Sequence, residues 1–194
     1  MERIRTVRAD AKLNRQAILD AAREQFSLHG SEVSMRTIAS EAQVGIGTLY
    51  RHFPTKDDLT IGIFEDLSEK VHEILLTHQH PWETQEEAEE QWIDFFQRLA
   101  ELKIGAFGPQ LFTHLSTLSK FMEEFQTRSQ EFATAMEGVL NQAKHWGLLR
   151  QEVTPFQFHL GLSSITRPLP EMARTKAPDL ENYLLDTYLR GLRP

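Results

Sequence analysis

The sequence predicts an all-α protein of about nine helices, with an N-terminal three-helix head carrying a helix-turn-helix and a C-terminal helical bundle behind it. Three observations predict this. Apolar residues recur at helical spacing along nearly the whole chain, and no segment shows a convincing period of two. Capping Ser and Thr, terminating Gly and helix-opening Pro fall between those stripes. The composition, 40% hydrophobic and 25% charged with ten glycines and eight prolines, is that of a helical globular chain. No internal repeat or low-complexity tract is present.

The elements follow in order. Arg3, Arg5 and Arg8 form a short basic arm, expected to be disordered on its own. From about Asp10 to His29, Leu13, Ala17/Ile18, Ala21/Ala22 and Phe26 give a first helix, ended by Gly30, where positive φ is cheap for glycine. Ser34 caps a second helix that stops near Ala42, with Val33 and Ile38 placed as a hydrophobic staple. Gly45 and Gly47 bracket a tight turn before a third short helix around Gly47–Phe53. Ile38, Ala39, Val44, Leu49 and Phe53 are the expected core of this head. Thr55 and Asp58 make a capping-box pattern for a long fourth helix, Lys56 to about Leu76, apolar at Leu59, Ile63, Leu67, Val71 and Ile74/Leu75.

His78 to Pro81 break that helix. Thr84 with Glu87 opens a fifth, which buries Trp92, Phe95/Phe96, Leu99 and Leu102 and begins with an acidic turn suited to the helix dipole. After a break at Gly105–Pro109, a short helix near Gln110–Leu118 is expected. A long one follows over Lys120–His145, apolar at Phe121/Met122, Phe125, Phe132, Met136, Val139/Leu140 and Ala143, and closed by Gly147. Thr154-Pro155 opens the next with proline in its favoured position. Arg167-Pro168-Leu169-Pro170 stops it. The last helix runs from about Pro178 to Arg190, with Leu180, Tyr183/Leu184 and Tyr188 on one side.

Charge divides the chain. The net charge is −7, but residues 1–56 hold nine Lys+Arg and six Asp+Glu (+3), and residues 57–194 hold twelve and twenty-two (−10). A basic head on an acidic body fits one end docking on phosphates. The shift falls inside the fourth helix, so the domains are read as 1–56 and 57–194. There is no cysteine, hence no disulfide framework or thiolate metal site. The polar, basic start is unlike a signal peptide, and no run approaches bilayer-spanning length, so the cytoplasm is the expected location and no membrane partner is expected.

The second and third helices carry the chemistry. A recognition helix must be short, exposed and fronted by small residues. Gly45-Ile46-Gly47 supplies that front. Thr48 can reach phosphate or base, and its methyl can touch a thymine methyl. Thr48, Tyr50, Arg51 and His52 lie on barely two turns and reach phosphate and base edges well; Tyr50 and His52 suit phosphate contacts, although Tyr50 has packing as its alternative role. Arg36 can reach a base edge or a phosphate. Lys56 opens the fourth helix, where backbone N–H and ammonium both favour a phosphate. Arg3, Arg5 and Arg8 can lie in a minor groove or along the backbone.

The run VGIGTLYRHFPTKDDL, preceded by RQAILDAAREQFSLHG and MRTIASEA, resembles the N-terminal domain of the tetracycline-repressor (TetR/AcrR) family of bacterial transcription regulators. The resemblance covers about residues 10–65, with several motifs in order at the right spacing. It implies a homodimer with a DNA-binding head at 1–56 and a ligand-binding and dimerisation body at 57–194. The family's DNA-contact positions fall on Met35, Arg36, Ile46, Gly47, Thr48, Tyr50, His52 and Lys56. The glycine front offers few polar base readers, which gives Arg36 and DNA shape a larger share of discrimination. The expected function is a repressor that binds a palindromic operator, an inverted repeat, and is released by a small, largely apolar effector.

The body says less. All three tryptophans and nine of twelve phenylalanines lie between residues 82 and 158. Such residues either pack a core or line an apolar pocket between helices. The pocket candidates are Trp92, Phe96, Phe107, Phe112, Phe121, Phe125, Trp146 and Phe158, with Arg98, His114 and His159 as polar contacts. Dimerisation is expected through the last two long helices, about 155–167 and 178–190. Their face with Leu180, Leu184 and Tyr188 either pairs with its symmetry mate or covers the body's own core.

An enzyme is not expected. His78 and His80 with Glu83 and Glu86 lack a third fixed ligand for a metal site. No phosphate-binding glycine loop, nucleophile elbow or His-Glu-x-x-His pattern occurs, and no cofactor or metal is expected. The alternative reading is a small-molecule carrier whose head binds a protein rather than DNA. Activation rather than repression is left open by the sequence.

Overall fold

The computed structural model describes residues 2–30, 32–106, 116, 117 and 119–194, with side chains described except at 2–9, 106 and 119–128. Among the described residues there are nine α-helices and no strand. They are α1 (Glu2–His29), α2 (Met35–Glu41), α3 (Ile46–His52), α4 (Lys56–His78), α5 (Gln85–Glu101), α6 (Ser119–His145), α7 (Pro155–Ile165), α8 (Glu171–Lys176) and α9 (Leu180–Gly191). A 3-10 turn, Ile104–Ala106, follows α5. The helix expected near 110–118 lies outside the described residues, apart from the turn at 116 and 117. The chain forms two compact units that divide within α4, one built on residues up to Asp66 and the other on Leu67–Ala106 and Met122–Pro194.

Two helical boundaries differ from the sequence reading. The chain is helical from Glu2, so the backbone carrying Arg3, Arg5 and Arg8 is the first turns of α1 rather than a disordered arm. The physical reason is that nothing between Glu2 and Asn14 breaks a helix: there is no Pro or Gly, and Arg3, Arg5, Arg8, Ala9, Ala11, Lys12 and Leu13 are good helix formers. The six-residue α8, where the sequence reading placed no helix, follows Pro170 directly; proline presets the helical φ at such a start but cannot continue a preceding helix.

In the first unit the core is Ile18, Leu19, Ala22 and Phe26 of α1, Val33, Ile38 and Ala39 around α2, Leu49 and Phe53 around α3, and Leu59 and Ile63 of α4. Val44 is only half-buried and Leu13 is exposed, so the apolar stripe of α1 reaches beyond this core. Gly62 is required by packing, because an added Cβ would stand 2.7 Å from the Phe53 ring. The caps are local and close as expected. Ser34 Oγ accepts from Thr37 N at 3.1 Å. Asp58 Oδ2 accepts from Thr55 N at 3.0 Å while Thr55 Oγ1 accepts from Asp58 N at 3.0 Å, a reciprocal capping box.

In the second unit the core joins Val71, Ile74 and Leu75 of α4, Trp92, Phe95, Phe96 and Leu99 of α5, Met136, Val139, Leu140 and Ala143 of α6, and Phe158 and Leu162 of α7. Where α4 ends, His78 is fully buried, with Nδ1 2.7 Å from Ile74 O and Nε2 3.0 Å from Asp94 Oδ2. Gln142 of α6 donates to His78 O at 3.2 Å and accepts from Trp82 N at 2.9 Å. One histidine and one glutamine thus tie α4, α5 and α6 at a single corner. The C-terminus closes on the same unit: Leu192 is buried, Arg150 N donates to Leu192 O at 2.9 Å, and Arg193 grips Glu89 at 3.0 Å. That hydrogen bond, more than the charge itself, holds the Glu89 carboxyl below its usual pKa.

Two glycines set how closely the elements around α7 approach. At Gly105 an added Cβ would overlap the Ser163 carbonyl oxygen, and at Gly161 it would overlap the Tyr188 hydroxyl. The first neighbour is backbone and cannot swing aside. Gly105→Ala is therefore expected to cost about 1–3 kcal/mol of unfolding free energy, read as a lowered urea midpoint. An unchanged midpoint would show that the 3-10 turn is not held against α7.

Candidate nucleic-acid interface

α2 and α3 are seven residues each, too short to persist alone, so their placement is set by what they bury. Leu49 is 0% exposed and Phe53 3%, four residues apart on one side of α3. At 3.6 residues per turn, that pair fixes the rotation of the helix and turns Gly47, Tyr50 and Arg51 outward. Tyr50 is 48% exposed and Ile46 39%. Arg51, Gly47 and Arg36 are exposed, while Met35, Thr48, His52 and Lys56 are half-buried. Thr48 and Tyr50 are therefore both reachable from outside.

The turn between α2 and α3 corrects the sequence reading. The residue with positive φ is Gln43 (55°), and Gly45 has φ −66° as the N-cap of α3. Val44 N donates to Ala39 O at 3.0 Å and Gln43 N to Ser40 O at 3.1 Å, a Schellman closure of α2 built on glutamine. Gly45 and Gly47 are thus not needed for the turn. Packing does not require them either: a Cβ at Gly47 would meet nothing within 4 Å, and one at Gly45 only Thr48 Oγ1 at 3.9 Å.

Three cations of the head, Arg15, Arg23 and Lys56, are engaged within it. Arg15 lies over the Phe53 ring at 5.3 Å and 3.9 Å from Glu65. Arg23 stands 3.8 Å from both Asp20 and Asp66. Lys56 Nζ lies 5.7 Å above the Phe26 ring, which positions the ammonium at the start of α4 without neutralising it. The His52 ring stands 6.3 Å from that of Phe53. Sequence reasoning counts Arg51 among the side chains of this helix that reach phosphate and base edges, but not among the family's contact positions; its place four residues after Gly47 and two after the inward Leu49 is what sets it outward.

The ligand candidates of the body fall into three groups. Trp92, Phe96 and Phe158 are buried against one another, with Trp92 to Phe158 at 5.6 Å and Phe96 to Phe158 at 6.4 Å between ring centroids. Trp146 and His159 are half-buried; His159 lies edge-on to Phe132 at 5.7 Å, and burial lowers its pKa. Arg98 is 3.8 Å from Asp94. Phe107, Phe112 and His114 lie outside the described residues, as do the side chains of Phe121 and Phe125. The indole N–H groups of Trp82 and Trp92 are buried without an acceptor among the described residues. Tyr188 turns inward rather than toward a mate: its hydroxyl is 3.4 Å from Phe158 O, and burial raises its pKa.

His78 and His80 do not converge on a common point. His78 is engaged by Ile74 O and Asp94, and His80 by Thr77 O at 3.0 Å and Glu87 at 3.5 Å. No group of three or more His, Asp or Glu among the described residues could hold a metal ion. No helix among them is long and apolar enough to cross a membrane.

Comparison with known proteins supplies the family. Residues 18–62 match the profile described as "Bacterial regulatory proteins, tetR family", and residues 87–194 match "Transcriptional regulator SbtR-like, C-terminal domain". Over 74 residues the chain is 45% identical to HTH-type transcriptional regulators of Staphylococcus aureus strains USA300 and NCTC 8325; the match covers 37% of this chain and 37% of the length of those relatives. Among solved structures, a TetR transcription regulatory protein from Mycobacterium vanbaalenii superposes with TM-score 0.60 at 24% identity, covering 97% of this chain and 99% of the other. A TetR transcriptional regulator from Streptomyces coelicolor gives 0.58 at 25%, covering 93% and 98%. The matched proteins are regulators and not enzymes. The chain belongs to the tetR family of bacterial regulatory proteins, helix-turn-helix transcriptional regulators that bind DNA.

Proposed function

We propose that this protein is a ligand-responsive repressor, acting in the cytoplasm, that binds a palindromic operator as a homodimer and is released by a small, largely apolar effector. The observation that carries the DNA-binding part is the outward surface of α3. Its inner side is sealed by Leu49 and Phe53, while Tyr50, Arg51 and a side-chain-free glycine front face out. In this reading Met35, Arg36, Ile46, Gly47, Thr48, Tyr50, His52 and Lys56 of residues 1–56 contact the operator, with Arg36 on a base edge and Lys56 on phosphate. Arg3, Arg5 and Arg8, on the first turns of α1, add phosphate contacts. Two heads engage half-sites about 34–36 Å apart.

Residues 57–194 bind the effector and dimerise. The effector lies against the aromatic cluster of Trp92, Phe96 and Phe158, and the uncommitted Trp92 indole N–H favours a molecule with an acceptor atom, since an unmade buried hydrogen bond costs about 1–3 kcal/mol. The lever is α4, one helix of 23 residues that belongs to both parts. A coupling of about 1–3 kcal/mol would lower operator occupancy several- to a hundred-fold. Dimer pairing is supported by Phe156 (70% exposed), Leu160 (47%) and Tyr183 (64%), apolar side chains on α7 and α9 left facing solvent.

Three outcomes test the reading. Duplex affinity should fall linearly with log salt, by a slope of about 0.9 for each phosphate contact, and Lys56→Ala should weaken all sequences alike and reduce that slope. Affinity indifferent to salt would favour a carrier whose head binds protein. Gly47→Ala should raise unfolding stability by about 0.5–1 kcal/mol yet weaken operator binding in gel-shift titration; equal operator affinity would show that nothing approaches the front of α3. Phe156→Asp should leave the fold intact, shift the protein to monomer in sedimentation and abolish binding to the inverted repeat. A dimer unaffected by that change would place the pairing face elsewhere.

A further inference from the structure

We propose that Arg51 is the principal base reader of the head, donating two hydrogen bonds to a guanine edge in the major groove, and that Gly47 lacks a side chain so that Arg51 can lie along α3 to reach it. The inference rests on the DNA-binding reading above and names what that surface recognises: a G·C pair in each half-site.

With Leu49 and Phe53 buried, Arg51 is exposed, and no hydrogen bond or ion pair to it is found among the described residues. Arg15, Arg23 and Lys56 are by contrast held by Glu65, by Asp20 and Asp66, and by the Phe26 ring. Arg36 is exposed as well, but it stands on α2, and the base edge it reads is a second one beside that of Arg51. Arg51 follows Gly47 by four residues, so the two share a face on successive turns. Long helical side chains lean toward the helix N-terminus, which brings the Arg51 guanidinium back over Gly47.

Gly47 itself needs an explanation. It is helical, its φ is ordinary, and a Cβ there would meet nothing within 4 Å. Neither turn geometry nor packing demands glycine, and glycine is a poor helix former. A bare position one turn before an uncommitted guanidinium leaves that guanidinium a path to the end of the helix that enters the groove first. The other groups at this front, Ile46 and Thr48, offer only one hydroxyl between them. A guanidinium fork matches guanine O6 and N7, and residues 42–56 contain no carboxylate to compete for it.

The test begins with selection of the preferred duplex from a random pool by the full-length protein. Affinities are then measured for the wild type, Arg51→Ala and Arg51→Lys against that duplex and against each single base-pair change. The expected result is that changing one G·C pair per half-site weakens the wild type by about ten- to a hundred-fold. Arg51→Ala should lose a similar factor on the parent duplex, become indifferent at that pair and keep its preferences elsewhere. Arg51→Lys should restore the preference only in part, because an ammonium can donate to O6 and N7 but lacks the planar fork that fixes both bonds at once. Both variants should melt with the wild type, since the side chain is exposed. Uniform weakening of every duplex with a shallower salt slope would make Arg51 a phosphate contact and overturn the inference while leaving the regulator reading intact. Unchanged selectivity in Arg51→Ala would overturn it as well. Failure of the wild type to prefer any duplex would remove the regulator reading and this inference together.

Discussion

The burial of Leu49 and Phe53 is the constraint on which the head depends. A seven-residue helix has no stability of its own, because nucleation costs more than so few hydrogen bonds return. α3 therefore exists only as far as these two side chains, with Ile38 and Ala39 of α2, close over Ile18, Leu19 and Ala22. The same contact that makes the helix also aims it. A hundred degrees of rotation per residue leaves no freedom in which residues face out once two are fixed facing in. Stability and presentation are one event here, so damage to this seam would remove the exposed surface along with the fold of the head.

α4 carries this dependence further. It starts from the Thr55–Asp58 capping box and ends at His78, both of whose ring nitrogens are engaged, with Gln142 holding the next carbonyl. A helix of 23 residues is about 35 Å long and rigid on that scale. Its two ends are secured by different chemistry: a water-exposed local cap at the start, and a buried polar corner at the finish. Buried polar networks are sensitive to the loss of any member, because the partners left behind lose water as well as each other. The finish is thus the end at which a rearrangement of the body would be felt.

Legibility in the sequence followed the range of the interaction. Caps depend on residues three or four apart, and Ser34, Thr55 with Asp58, and Thr84 with Glu87 all close as their spacing implies, while Thr154, read as opening a helix with Pro155, also closes a box with Gln157. Gly30 and Gly147 take the positive φ values, 74° and 69°, that helix ends call for. What the sequence hid was set by contacts distant along the chain. Gln43 adopts positive φ because the Schellman hydrogen bonds and the packing of α2 impose it, against its own preference. Tyr188 turns inward because Gly161, twenty-seven residues earlier, leaves room for its ring. Gly105 reads as a helix break, yet its lack of a side chain serves a contact with Ser163. The short, glycine-fronted third helix was legible as a motif; that Arg51 is exposed and without an ion pair among the described residues was not, since those are properties of the folded head.

Charge distribution resolves how a chain of net charge −7 presents a surface to phosphates. The head is itself polarised. Asp20, Glu24 and Glu41 border one shallow groove of about 430 Å³ floored by Ala17, Ala21 and Ala42. From Ala42 to Lys56 there is no carboxylate at all, and that stretch holds Arg51, His52 and Lys56. At an ionic strength near 0.15 M, exposed charges are screened beyond about 8 Å, so a phosphate beside α3 feels its immediate neighbours more than the net charge of the chain. The stretch from Ala42 to Lys56 thus offers an anion cations with no carboxylate beside them in the chain, whatever the sum over all 194 residues.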